Sequence, residues 1–119
     1  MEIVTLTVAS RDDVKRRLRN AFRGRKQGAQ ISFSSPQLLL KVMTYRRWEV
    51  IHVLTGAGPL TVAEAARRLG RDLKAVDRDV QALLNAGILR KEGRRIVFPF
   101  DVVRINAVLS RKDADAAAA

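Results

Sequence analysis

The stretch "TVAEAARRLGRDLKAVDRDVQALLNAGILRKEGRRIVF", residues 61–98, decides how this chain folds. Thr61 stands three residues before Glu64, the spacing at which a hydroxyl and an acid cap the start of a helix. That helix is expected from about 62 to 69 and ends at Gly70, since glycine closes helices in the left-handed conformation. Asp72 is a second N-cap and opens a helix to about residue 86, closed by Gly87. "ILRKEGRRIVF" (88–98) then carries the pattern of a hairpin turning at Glu92 and Gly93. Ala65 and Ala66 are small where two helices must cross closely, and Val76, Val80 and Leu83 point to a core.

Working outward, Ser35 followed by Pro36 is an N-cap with proline at the first helical position. Thr44 restarts a helix over 45–55, with Trp48, Ile51 and Leu54 as its inward stripe and "GAG" (56–58) as its end. Helix, helix, glycine turn, helix and hairpin is the order of a winged helix-turn-helix. The expected fold class is therefore mainly α with a small β-hairpin wing (α+β), preceded by an N-terminal strand-helix extension. Residues 2–9 alternate as a strand, and Ser10 with Asp13 opens a helix near 11–23. That helix has an apolar stripe of Val14, Leu18, Ala21 and Phe22 and an outer face of Lys15, Arg16, Arg17 and Arg19. Residues 101–109 suit a strand or a helix equally. The expected organisation is an extension at 1–34 for dimerisation or partner binding, a DNA-binding domain at 35–109 and a flexible tail at 110–119.

The bulk composition narrows the function. With 119 residues the chain is one domain, and 23 Lys+Arg against 12 Asp+Glu give it a net charge of +11. Most of those cations are Arg, whose planar fork matches phosphates and base edges, so a polyanionic partner is the first expectation. No apolar run approaches a membrane span and the N-terminus has no signal-peptide pattern, which points to a cytoplasmic protein. Without cysteine there is neither a disulfide framework nor a thiolate metal site. His52 is the only histidine, and no metal spacing, glycine-rich phosphate loop or paired carboxylates are present. No cofactor, no metal and no enzymatic activity are expected.

The helix expected at 72–86 mixes acids with its cations, yet the helical wheel separates them. At about 100° per residue, the apolar set Leu73, Val76, Val80, Leu83, Leu84 and Gly87 centres near 30° from Val76. Lys74, Arg78, Gln81 and Asn85 fall between about 140° and 200°, opposite that core, and Arg71 is grouped with them. Asp77 and Asp79 sit on the two shoulders, placed to orient neighbouring cations. A basic, amide-bearing ridge suits the G and A edges of a major groove. Lys74 and Arg78 repel at i, i+4 by a few tenths of a kcal/mol, a cost that phosphate contacts would offset. Arg67 and Arg68 end the preceding helix, where they contact phosphate or cap its carbonyls. The Thr61 hydroxyl is first a cap and second a phosphate contact. Arg90, Lys91, Arg94 and Arg95 surround Glu92 on the hairpin, the charge pattern of a wing on the DNA backbone or in the minor groove.

Over residues 35–100, including "FSSP", "RRWE", "LGRD" and "FPF", the chain resembles the MarR/ArsR-type winged-helix regulators. Within them it is most similar to small prokaryotic DNA-binding proteins, some of them antitoxin-like regulators paired with a toxin gene. The resemblance implies a dimeric, sequence-specific repressor of double-stranded DNA, with helix 72–86 in the major groove and hairpin 90–95 as wing. The strand at 2–9, taken as having an unpaired edge, and the segment 101–109 are the expected dimer elements. An antitoxin that neutralises a protein partner and autoregulates its operon is the alternative, its binding surface drawn from the basic helix near 11–23 and from 101–119.

Overall fold

A computed structural model describes residues 2–8 and 29–107 of the chain. The expected helix near 11–23, its cationic face and the tail at 110–119 lie outside the described residues. In chain order the elements are β1 (Ile3–Val8), β2 (Ala29–Phe33), α1 (Pro36–Val42), α2 (Tyr45–Leu54), α3 (Val62–Leu69) and α4 (Leu73–Asn85). The hairpin β3 (Arg90–Glu92) and β4 (Arg95–Val97) follows, and then β5 (Val102–Asn106). The class is α+β.

Each helix begins where a short polar side chain can replace the missing backbone acceptor of its first turn. Ser35 Oγ accepts from Leu38 N–H at 3.1 Å, and Thr44 Oγ1 from Arg47 N–H at 3.3 Å. Thr61 Oγ1 accepts from Glu64 N–H at 3.1 Å, and Asp72 Oδ2 from Ala75 N–H at 3.2 Å. At the end of α3, Gly70 adopts φ 65° while Arg71 N–H reaches Ala66 O at 3.1 Å and Gly70 N–H reaches Arg67 O at 3.2 Å. This pair of reversed bonds stops α3 within one residue and turns the chain directly into α4.

Beneath the helices, Val50, Ile51, Leu54, Ala65, Ala66, Val76, Val80 and Leu83 form one core with Ile88, Leu89, Ile96 and Phe98. The hairpin is not a free appendage. Leu60, in the connection between α2 and α3, exchanges both backbone bonds with Ile96, at 2.9 and 2.7 Å. This bridge makes Leu60 a third rung against β4 and ties the hairpin's inner strand to the helices.

The sheet resolves one open expectation and corrects another. The ambiguous segment 101–109 contributes a strand, β5, and this strand pairs in parallel with β1, which pairs in parallel with β2 on its other side. β1 is therefore the central strand of a sheet ordered β2-β1-β5, and it offers no open edge to a twin. Val4 and Leu6 of β1 are fully buried in the common core, so the sheet draws strands from both sides of the boundary expected at 34/35. Parallel pairing is long-range and leaves no local mark in sequence, which is why the strand at 2–9 was legible but its partners were not.

Trp48 is 40% exposed rather than inward. With Ile51, His52, Thr55, Asp101, Val102 and Val103 it lines a cleft of about 310 Å³ between α2 and the start of β5. Val50 takes the buried place beside Ile51 and Leu54. Leu73 is likewise 51% exposed, because α4 buries side chains only from Val76 onward.

Candidate nucleic-acid interface

α4 carries the centre of the candidate site. Val76, Val80 and Leu83 anchor one face in the core, and this fixes the opposite face outward. Lys74, Arg78, Gln81 and Asn85 are all exposed there. Ala75, Asp77, Asp79, Ala82 and Leu84 are half-buried along the flanks, as expected for the shoulders of a helix lying on a core. At these four positions the exposed ridge is the one that the helical spacing places opposite the core.

Arg71 is the exception. Its side chain is only 13% exposed, and it donates to Asp79 Oδ2 at 2.8 Å and to Arg46 O at 3.3 Å. It is a brace of the fold rather than part of the outer ridge. The wheel misplaced it because Asp72, between Arg71 and the helix, is extended (φ −61°, ψ 135°), so the helical angle does not carry back across it. Asp79 does orient neighbouring cations: its Oδ1 accepts from Arg47 Nε at 3.2 Å while Oδ2 holds Arg71. The role of Arg47 was not visible in the sequence, since its partner stands 32 residues away.

The flanking groups lie along the chain on either side of α4. Arg67 and Arg68, in the last turn of α3, are exposed, and the Schellman bonds already satisfy two of the carbonyls nearby. Both guanidiniums are therefore left to face solvent or an anion. Thr61 is half-buried with its oxygen used as a cap, and its hydroxyl proton remains to be donated. At the other end, Gly87 at φ 80° turns α4 into the buried pair Ile88 and Leu89 and so into the hairpin.

Glu92 pairs with Arg95 across the hairpin, leaving Gly93 and Arg94 as its two-residue tip. Gly93 has φ 62°, the positive angle that the first position of a II′ turn requires, so the turn falls one residue later than expected. Arg90, Lys91, Arg94 and Arg95 are exposed, while Ile96 and Val97 are buried, Ile96 in the common core. Arg90 donates to Glu92 Oε1 at 3.0 Å, with both side chains largely in solvent (62% and 44%), so the pair contributes little and yields readily to a stronger anion. Among the described residues, no group of three His, Cys, Asp or Glu could hold a metal ion, and no helix is long and apolar enough to cross a membrane.

These features define a small, strongly basic α+β protein that presents a cationic helix ridge and a cationic hairpin from one core. The chain belongs to the HVO_A0114 family, whose model matches residues 42–105, from the last residue of α1 into β5. No curated protein matches the chain.

Proposed function

We propose that this protein is a winged helix-turn-helix regulator that binds double-stranded DNA in a sequence-specific manner. α3 and α4 form the helix-turn-helix, and β3–β4 is the wing. The observation that carries the reading is the composition of the outer face of α4. Its core side is apolar, its shoulders hold the acids, and its exposed ridge is Lys74, Arg78, Gln81 and Asn85. A ridge of guanidinium, ammonium and amides offers hydrogen bonds to the major-groove edges of G and A. The exposed Leu73 adds an apolar group at the leading end of the helix, suited to a thymine methyl. Arg67, Arg68, Lys91, Arg94 and Arg95 serve the phosphate backbone, with the Thr61 hydroxyl as a further donor. Arg90 joins them when its link to Glu92 opens.

One such module touches few base pairs, so selectivity on a genome calls for two copies on a palindromic site, and repression by occupancy follows from that arrangement. The pairing element is not β1. β5, an outer strand of the sheet among the described residues, is the remaining candidate of the two expected. The test is selection from a random-sequence duplex pool. A palindromic consensus, half-sites one helical turn apart, is expected. Recovery of unselected sequences at every salt concentration would contradict the reading.

A further inference from the structure

We propose that Asp79 is a specificity-determining positioning residue, which withholds Arg47 and Arg71 from the DNA backbone and fixes the rotation of α4. The inference rests on the DNA-binding reading above and concerns how that reading is kept selective.

Each oxygen of Asp79 is used by a different guanidinium, Oδ1 by Arg47 Nε at 3.2 Å and Oδ2 by Arg71 at 2.8 Å. Each guanidinium has a second anchor on another element. Arg47 also donates to Val42 O at 2.9 Å and Lys41 O at 3.4 Å, the free carbonyls at the end of α1. Arg71 also donates to Arg46 O in the first turn of α2, at 3.3 Å. One carboxylate thus links the end of α1, the start of α2, the α3–α4 turn and the middle of α4. All three side chains are mostly covered, at 23%, 15% and 13% exposure for Arg47, Asp79 and Arg71.

This placement has two consequences. Asp79 immediately follows Arg78, so whatever pins Asp79 sets the direction in which Arg78 leaves the helix. A rotation of α4 by about 20° would move a group at the helix rim, about 5–6 Å from the axis, by about 2 Å. A bidentate contact to a base does not survive that displacement. The second consequence concerns charge. Two arginines next to the reading helix would bind any phosphate, and affinity gained there is blind to sequence. Asp79 holds both in the body of the protein.

The experiment compares wild type with Asp79→Asn, which keeps the shape and removes the charge. Both are titrated on the duplex selected by wild type and on a scrambled duplex across a salt series. Asp79→Asn is expected to bind scrambled DNA several-fold more tightly at low salt, with a log–log salt slope steeper by about 1–2, as freed guanidiniums reach phosphates. Preference for the selected duplex is expected to fall about tenfold or more, and Asp79→Glu is expected to restore part of it. If Asp79→Asn does not fold, Arg71→Gln serves: it leaves Arg47 on Asp79, and preference falls without a steeper slope. Unchanged preference and slope in these variants would overturn the proposal while leaving the DNA-binding reading intact. A wild-type protein with no preference for any duplex would overturn both.

Discussion

Arg78→Ala is expected to weaken binding to the selected duplex by about 5–150-fold, the equivalent of about 1–3 kcal/mol for one good bidentate base contact. Arg78 is exposed at the centre of the α4 ridge, and its neighbour Asp79 is pinned, so its guanidinium is presented from a fixed base. The loss should fall on the matched sequence and leave scrambled DNA much less affected, relaxing the preference at one base pair. Arg94→Ala is the contrasting variant. Arg94 stands at the tip of the hairpin, where a contact to the backbone carries no sequence information. It should weaken all duplexes alike and reduce the salt slope by about 1. Equal losses on matched and scrambled DNA for both variants would contradict the division between a reading helix and a holding wing.

The second large effect is on stability. Leu83→Ala is expected to destabilise the fold by about 2–5 kcal/mol, since it empties a fully buried site on the core face of α4. Against a total stability of about 5–15 kcal/mol for a domain of this kind, that is a major fraction. Thermal unfolding followed by circular dichroism should show a midpoint lower by about 10 °C or more. Gln81→Ala, on the exposed side of the same helix, should move the midpoint by no more than the ~0.5 kcal/mol typical of surface substitutions. A small shift for Leu83→Ala would mean that α4 does not pack through this face, and the outward ridge would lose its basis.

What the sequence disclosed, and what it did not, follows the range of the interactions. Ser35, Thr44, Thr61 and Asp72 cap their helices through bonds to residues three positions away, so each helix start could be read locally. Gly70 and Gly87 closed α3 and α4 for the same reason, through conformations glycine adopts at little cost. The outer ridge of α4 was legible because a helix converts spacing into direction. Arg71 was not, because one extended residue breaks that conversion. The Asp79 network joins residues from α1 to α4, and the sheet joins β1 to β5 across most of the chain. Neither has a local signature. The bridge between Leu60 and Ile96 belongs with them, as two apolar residues whose pairing only the folded chain reveals.

On the proposed DNA-binding reading, the two kinds of basic group serve different ends. Lys74 and Arg78 sit on a helix braced through Asp79, whereas Lys91, Arg94 and Arg95 project from a short hairpin tied down through the bridge between Ile96 and Leu60. Fixed rotation suits base edges, and long side chains on a short hairpin suit the less demanding geometry of phosphates.

The central claim is that this cationic surface binds the DNA backbone while the α4 ridge reads bases, and a salt titration on the selected duplex tests it most directly. Five cations are assigned to phosphate directly (Arg67, Arg68, Lys91, Arg94 and Arg95) and Arg90 is a sixth when its link to Glu92 opens, which sets a log–log slope of about −4.5 to −5.4 for each bound copy. A steep slope of that order, with the matched duplex still preferred at the highest salt, is the expected result. A slope near zero would contradict the account.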